Sequence, residues 1–461
     1  MSDPNRLIYP TIDLFLYDLA EGLGQQEDKI NQSRKQFWQK VYGAKTEQLL
    51  ENLKKAEEEA SDYIELLGEQ KVEKFVSTLN GNYYPVKVGD TYALQVDCSG
   101  YKEPEIDKYS PKPVDSLATI QEIINKQVNN QPGTIGQSWL IWGKLPADDQ
   151  DATETAKNCY KELKLVPTPK WDKDLKAEGK FLGANFYELW LMPSDRGTVN
   201  QNHHVLICLF DYNQGESIAV AGKTMTKLYP EFLQLFRFRN KVIWAYHQSR
   251  HLKSDMKQAS QLIQKIVSKL PEQVNAPKID LKELQQNLVD TLTILSTYAN
   301  YISRLEEQQN TIKSNLTNYQ IRLKTIAKLE PNTNSNQPLD FLESFSDFAN
   351  EKYLPQIEAD RASLSAGLRL LENAIKTIEG IIEIEQTKSD RALNQTIFIA
   401  STGLAASGIT ATLVSTQVYS PQNKDNTMTL SSAILWSIGI PFLVIVSAII
   451  FFSIPRFFRP R

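Results

Sequence analysis

Residues 1–80 have a spacing of apolar and polar positions that is typical of amphipathic helices. Leu14, Tyr17 and Leu19 recur at helical intervals after Pro10-Thr11, which predicts a short helix. A longer helix with a charged opposite face is indicated by apolar side chains at Leu49, Leu53, Ala56, Ala60, Tyr63, Ile64 and Leu67. We therefore expect an N-terminal helical segment over 1–80.

The pattern changes after Gly81 to short apolar stretches separated by turns. Two stretches flank Gly89-Asp90 and predict a β-hairpin. The predicted strands are 84–88, 91–96, 138–142, 185–192, 204–210 and 217–221, the last as the hairpin partner of the one before it. Helices are predicted at 116–128 and 151–163, the second capped by the acidic residues before it. An α+β domain with a mostly antiparallel sheet is expected at 81–225.

Two long apolar runs between 226 and 392 step alternately by three and four positions, which is the spacing of a coiled-coil seam. The first comprises Tyr298, Ile302, Leu305, Gln309, Ile312, Leu316, Tyr319, Leu323 and Ile326. The second comprises Leu354, Ile357, Arg361, Leu364, Leu368, Leu371, Ile375, Ile378 and Ile382. We predict long helices over 226–392, folded as an antiparallel coiled-coil hairpin across a linker at 331–338.

Two uncharged runs, 396–416 and 430–454, are long enough to cross a bilayer, whose hydrocarbon core takes about 20 residues. They predict a transmembrane hairpin over 393–454, followed by a basic tail at 455–461. Basic residues flank the hairpin on its two outer sides, whereas the loop between the runs has only Lys424. The predicted location is the cell membrane (plasma or inner), multi-pass, with both termini cytoplasmic.

Small and hydroxyl-bearing residues follow one face of the first uncharged run. Such residues let helices approach closely and form hydrogen bonds across the contact. The face therefore has two interpretations: helix packing within an anchor, or the lining of a pore in an oligomer. Its candidate residues are Thr396, Ala400, Gly403, Ser407 and Thr410.

Composition limits the ligand class. The chain has 51 Lys and Arg against 55 Asp and Glu, so no nucleic-acid partner is expected, because such proteins usually carry a basic excess. The 20 glycines among 461 residues are few, which favours long helices. The three cysteines, Cys98, Cys159 and Cys208, lie far apart and are predicted to be buried free thiols in a reducing compartment.

Motifs for catalysis or cofactor binding are incomplete. Gly222-Lys223-Thr224 lacks the earlier glycine of a phosphate-binding loop. His247 and His251 lie one helical turn apart, but Gln248 stands where a metalloprotease has its glutamate. His203-His204 is interpreted as part of a strand rather than as a ligand pair. We therefore predict no catalytic residue, no metal site, no cofactor and no enzymatic activity.

The order of parts from Gly81 to Arg461 resembles the CorA-type magnesium transporter family. That family has a cytoplasmic domain with a sheet between helices, a stalk helix that enters the first span, a short outer loop, a second span and a basic tail. Its Gly-Met-Asn motif is absent, and the chain has Thr416-Gln417-Val418 at that place. The resemblance implies an oligomeric ion channel or transporter that lacks the motif for hydrated magnesium.

Together these features predict a cytoplasmic α+β domain, a coiled-coil-like stalk and two C-terminal transmembrane helices, predominantly α overall. The leading functional prediction is an integral membrane protein whose cytoplasmic sensing or binding domain is coupled to a two-helix anchor. The alternatives are the CorA-like channel and an enzyme held at the membrane. The expected partners are the lipid bilayer, further copies of the chain through the first transmembrane helix and stalk, and a cytoplasmic ligand or protein.

Overall fold

The computed structural model describes residues 3–20, 27–42, 61–68, 70–75, 77–101, 110–192, 202–213, 218–274, 279–330 and 339–387. The chain divides into two compact units. The first takes its described residues from within Met1–Gly22, Glu27–Leu252 and Leu305–Asp360. The second takes them from within Lys253–Arg304 and from the stretch that begins at Arg361.

The first unit is built on a 10-stranded sheet. Its strands are β1 (Arg6–Leu19), β2 (Tyr63–Glu65), β3 (Glu73–Lys74), β4 (Gly81–Val88), β5 (Thr91–Ser99), β6 (Lys112–Pro113), β7 (Gly136–Lys144), β8 (Leu175–Phe181), β9 (Ala184–Leu191) and β10 (His203–Phe210). The order across the sheet is β2-β4-β5-β1-β7-β10-β9-β8, with β3 beside β4 and β6 beside β1.

The described helices are α1 (Glu27–Tyr42), α2 (Ser116–Gln127), α3 (Ala152–Glu162), α4 (Trp171–Asp174), α5 (Ile218–Val274), α6 (Leu281–Ala327), α7 (Asp340–Phe348) and α8 (Leu354–Thr387). A π-helical turn, Ala349–Tyr353, joins α7 to α8. The predicted acidic cap of α3 is confirmed, because the Asp151 carboxylate accepts hydrogen bonds from the Thr153 and Glu154 backbone nitrogens at 2.8 and 3.1 Å.

The sheet is mixed, which corrects the predicted α+β class. Strands β7 and β10 are parallel, whereas the other neighbours are antiparallel. Parallel neighbours need a long crossover connection, and α3, α4, β8 and β9 all lie between β7 and β10 along the chain. The first unit is therefore an α/β domain.

Both faces of the sheet are covered, because successive side chains of a strand point to opposite faces. On β1, Phe15 and Tyr17 pack in one core with apolar side chains of α5, α6 and α7. Ile12, Leu14 and Leu16 pack in the other core with side chains of α1, α2 and α3. The first unit is thus three layers deep, with the sheet in the middle.

Strand β1 replaces the short helix that was predicted around Leu14, Tyr17 and Leu19, and that prediction was wrong. Residues 14–17 are apolar at every position, as a strand with both faces buried requires. In the rest of the predicted helical segment, α1 is a helix, β2 is a strand, and residues 43–60 lie outside the described residues.

The predicted strand at 217–221 was also wrong, because Ile218 begins helix α5. Both sides of β10 are already occupied, by β7 and by β9. No edge of β10 was therefore left for a further hairpin partner, and the apolar side chains of the stretch instead belong to a helix that covers the sheet.

Within the second unit, residues of the two predicted seams meet in antiparallel order. In the second unit, Leu284 and Leu288 of α6 pack in one core with Ile378 of α8. Further along α6, Tyr298 faces Gly367, where a Cβ atom would lie 2.4 Å from the tyrosine oxygen. Increasing numbers on α6 therefore meet decreasing numbers on α8. The linker, residues 331–338, lies outside the described residues.

The two polar seam positions lie in different units and differ in their surroundings. Gln309 is 3% exposed, and its Nε2 donates a hydrogen bond to Glu358 Oε1 at 2.8 Å. Arg361 belongs to the second unit and is half-buried. The apolar seam positions from Ile312 to Ile326 do not pack only against another helix, because they also belong to the core beneath the sheet.

In the described part of the chain, no helix combines the length and the apolar character that crossing a membrane requires. Helices α5, α6 and α8 are long enough, but each carries charged side chains at intervals along its length. This finding corrects the prediction of two transmembrane helices, and with it the integral membrane protein, its membrane location and the channel alternative. The runs at 396–416 and 430–454 lie outside the described residues.

Candidate functional site

A cavity of about 450 Å³ lies on the face of the sheet that α5 covers. The sheet contributes Tyr9, Thr11, Asp97, Ser99 and Trp142, from β1, β5 and β7. The first turns of α5 close the opposite side, between Ile218 and Tyr229. Volumes of this size hold a small organic molecule, and sites for such molecules combine apolar walls with a few polar groups.

Two carboxylates stand next to each other at this cavity, which we call the acid pair: Asp13 and Asp97. They are direct partners in the register of β1 and β5. Asp13 is fully buried and accepts a hydrogen bond from Gln95 Nε2 at 2.9 Å. Asp97 is partly exposed, lines the cavity and accepts a hydrogen bond from Asn82 Nδ2 at 3.2 Å. The carboxylate that a ligand can reach is therefore that of Asp97.

Both carboxyl groups of the acid pair have a pKa above the ordinary value of an aspartate. Burial raises the pKa of Asp13 well above its ordinary value, and the nearby charge of Asp97 raises it further. Burial also raises the pKa of Asp97 to about 6, although the hydrogen bond from Asn82 acts in the opposite direction. Asp97 therefore bears a negative charge above about pH 6, and this charge faces the cavity, whereas burial favours the neutral form of Asp13.

Aromatic side chains form the walls around this charge. Trp142 Nε1 donates a hydrogen bond to Tyr229 Oη at 2.8 Å, which orients both rings. The ring of Tyr9 lies 5.5 Å from that of Trp142 and is stacked on Tyr101, also at 5.5 Å. Burial and the charge of Asp13 raise the pKa of Tyr229 well above its ordinary value, so its hydroxyl stays neutral.

The backbone at Tyr9 is itself unusual. Its φ is +56°, a value that residues other than glycine rarely adopt, and the β1–β7 register shifts between Ile8 and Thr11. A bulge of this kind re-aims a side chain, and strained residues concentrate at functional sites. Here the bulge places the Tyr9 side chain on the cavity wall.

A second polar group on the same face of the sheet joins Ser138, His204, Glu188 and Arg239. Ser138 Oγ lies 3.0 Å from His204 Nδ1, and His204 Nε2 lies 3.3 Å from Glu188 Oε1. The order serine, histidine, carboxylate is that of an activated nucleophile. All four side chains are at most 1% exposed, however, and Ser138 Oγ also accepts a hydrogen bond from Asn240 Nδ2 at 3.0 Å. A substrate does not reach this hydroxyl, so the group is a buried structural network.

This network remains ordered because its charges are compensated locally. Arg239 Nε lies 3.8 Å from Glu188 Oε1, and the guanidinium carbon lies 5.3 and 4.7 Å from the ring centres of Trp190 and Phe345. Burial, and next the charge of Arg239, lower the pKa of His204 to about 4. The imidazole is therefore neutral at physiological pH, which avoids two adjacent buried cations.

The residues that the sequence singled out have other places. The pore or packing candidates Thr396, Ala400, Gly403, Ser407 and Thr410 lie outside the described residues. His203 and His204 lie within β10, a strand with a neighbour on each side, and His203 Nδ1 is 2.8 Å from Gln137 Nε2. His247 and His251 lie on α5, and no group of three or more metal-ligating side chains occurs among the described residues.

Gly222-Lys223-Thr224 is part of α5 rather than a phosphate-binding loop, and Gly222 lines the cavity. The cysteines are free and buried, as predicted. Sequence reasoning did not identify the acid pair, although one signal was present. Asp13 stands between Ile12 and Leu14 of β1, Asp97 stands between Val96 and Cys98 of β5, and a buried charge in a strand is costly unless it has a function or a partner.

Comparisons of the chain with protein-family models, with curated proteins and with solved structures find no match. The resemblance to the CorA-type family in the order of parts therefore stays a prediction from the sequence. The chemistry of the cavity is the remaining guide to function.

Proposed function

We propose that the first unit is a small-molecule-binding domain whose ligand joins a protonated amine, or another organic cation, to an apolar or aromatic body. The observation that carries this proposal is the charged carboxylate of Asp97 at the base of an aromatic-walled cavity of about 450 Å³. A cation there gains a charge-assisted hydrogen bond and contacts with ring faces.

The charge balance favours a cation over other ligands. No Lys or Arg side chain is among the described residues that line the cavity. An anion would meet the Asp97 charge without a counterion, and a neutral ligand would leave that partly buried charge unpaired. A cationic ligand neutralises it, and the raised pKa of Asp97 should fall when such a ligand binds.

General acid–base catalysis is a second candidate for the same cavity. Its supporting observation is the adjacent carboxyl pair, with the pKa of Asp97 at about 6, because a catalytic acid or base works best near the operating pH. Conversion of a bound amine into a product, followed by mass spectrometry, would favour this candidate over binding alone.

The test uses the full chain and three probes of one shape: phenethylamine, phenethyl alcohol and hydrocinnamate. They present an ammonium, a hydroxyl and a carboxylate on the same aromatic body. By isothermal titration calorimetry near neutral pH, we expect the amine to bind, the alcohol to bind about tenfold more weakly or not at all, and the acid not to bind. Equal binding of the three probes, or binding of none, contradicts the proposal.

Two variants connect binding to the acid pair. Asp97→Asn removes the charge and keeps the shape, so amine binding should be lost. Asp115→Asn is the matched control, because Asp115 is exposed and its side chain makes no capping hydrogen bond. Amine binding that survives Asp97→Asn unchanged would place the site elsewhere.

A further inference from the structure

A second cavity in the first unit, of about 490 Å³, opens beside the turn between β4 and β5. Its charged lining residues are Arg237 and Lys241 of α5 together with two aspartates. Asp62 directly precedes β2, and Asp90 lies in the turn between β4 and β5. The two cavities share no lining residue among those described. We call this second one the turn cavity.

Arg237 has donor capacity that the protein leaves unused. Its Nη1 donates to the Val88 carbonyl oxygen, and its guanidinium lies 4.5 Å from the ring centre of Phe238. Its Nε is buried without a hydrogen-bond partner among the described residues, and a ligand in the cavity does not reach it. Its Nη2 also has no hydrogen-bond partner among the described residues but is not buried in this way, so it is the donor that a ligand can engage. A carboxylate matches the planar guanidinium best.

The other charges of the turn cavity are arranged differently. Lys241 Nζ contacts both carboxylate oxygens of Asp90 at 2.5 Å, so these two groups neutralise each other. Asp62 is exposed, and its backbone oxygen accepts a hydrogen bond from the Gly89 nitrogen at 2.8 Å. Its carboxylate forms no ion pair with any residue that the structure describes. One guanidinium donor and one carboxylate thus remain for a ligand.

Amide side chains complete the lining. Asn315 Nδ2 donates to the Thr311 carbonyl oxygen of its own helix at 2.7 Å, which leaves its Oδ1 as an acceptor. Gln234 Oε1 accepts from Arg322 Nη2, which leaves the Gln234 Nε2 as a donor. Asn318 lies beside them on α6. A ligand therefore meets both donors and acceptors here, which suits a polar body rather than an apolar one.

From these groups we infer that the turn cavity binds a zwitterion, namely a polar α-amino acid, with its carboxylate on Arg237 and its ammonium on Asp62. The formal charges of the four charged side chains sum to zero, which a zwitterion preserves. A phosphate or other polyanion would add charge next to two carboxylates, and an amine alone would leave the Arg237 Nη2 donor without an acceptor.

The first experiment titrates the full-length Asp97→Asn variant, in which the cation site is inactive, with the proteinogenic L-amino acids, one at a time, by calorimetry. The amino acid that binds best is then compared with its decarboxylated amine and with its deaminated acid. We expect each analogue to bind about tenfold more weakly or worse, because each loses one charge-assisted hydrogen bond. The inference is overturned if no amino acid binds, or if either analogue binds as tightly as the parent.

Variants separate the two ends of the ligand. Asp62→Asn should weaken the amino acid about tenfold and leave the deaminated acid unchanged. Asp62 is exposed, so the fold should tolerate this change. Asp115→Asn should change neither affinity. Full amino-acid affinity in Asp62→Asn overturns the inference. Asp97→Asn should retain amino-acid binding, so failure of the cation site and failure of the turn cavity are separate results.

Discussion

Replacing Asp97 by asparagine should stabilise the ligand-free protein while it abolishes amine binding. The folded protein holds the Asp97 proton up to about pH 6, whereas an unperturbed aspartate releases it near 3.8. Above both values the folded state therefore bears the cost of a partly buried, poorly solvated carboxylate. The amide of asparagine occupies the same space without a charge, and it removes this cost.

The magnitude follows from the two pKa values. They differ by a little over two pH units, and each unit corresponds to about 1.4 kcal/mol, so the variant should gain up to about 3 kcal/mol near neutral pH. The sign depends on pH. Because the folded-state pKa is raised, the Asp97 carboxyl stabilises the fold least above about pH 6 and most below 3.8, where both states are protonated. The gain should therefore shrink steadily as the pH falls through this window.

The assay is urea unfolding of the full chain, followed by tryptophan fluorescence, at several pH values between about 4 and 7. Asp115→Asn is unfolded in parallel and should match the wild type at every pH. An Asp97→Asn protein that is less stable than the wild type at neutral pH, or whose stability difference does not change with pH, would refute the assignment of a destabilising charge. A binding site can retain a charge that destabilises the fold because the same charge is needed to bind the ligand.

Four further outcomes can be checked. Amine binding to the cavity should weaken as the pH falls below about 6, because Asp97 then takes up a proton, and calorimetry at several pH values measures this. Gly222→Leu should prevent amine binding by filling the cavity without lowering stability, since a Cβ atom there meets nothing within 4 Å and glycine is a poor helix former. A melting curve measures the stability, and a calorimetric titration measures the amine binding. Leu371→Ala should cost about 2–5 kcal/mol of unfolding free energy and Leu370→Ala less than about 0.5, because the first side chain is fully buried and the second is 52% exposed. The folded protein keeps His204 neutral down to about pH 4, whereas an ordinary histidine takes up a proton below 6.5, so the free energy of unfolding should fall as the pH falls from 6.5 toward 4. In urea unfolding, His204→Gln should lose less stability than the wild type over that range.

The helical part of the fold was predictable because its signal is local. Seam residues such as Leu305, Ile312 and Ile378 recur at fixed short intervals, and each proves to be fully buried. The Asp151 cap was found for the same reason, since the carboxylate and the nitrogens that it binds are two and three residues apart.

The sheet and the cavity were harder to predict because their contacts are distant in sequence. The apolar pattern of β1 is compatible with either a helix or a strand. Its partner β7, which decides between them, lies more than a hundred residues further along the chain. The cavity brings together Tyr9, Asp97, Trp142 and Tyr229 from four different elements. Only the topology of the sheet places these four side chains together, and no local spacing encodes it.

The central position of β1 has a consequence for the kinetics of folding. This strand pairs with β5 on one side and β7 on the other, and both partners follow it along the chain, so neither ladder can form until those later segments have been synthesised. Its core is completed only when α7 adds Phe341 and Phe345, more than three hundred residues after β1. Contacts this distant in sequence make folding slow, and an unpaired apolar strand invites association with other chains. We therefore expect refolding of this unit from denaturant to be slow and its yield to fall steeply as the protein concentration rises.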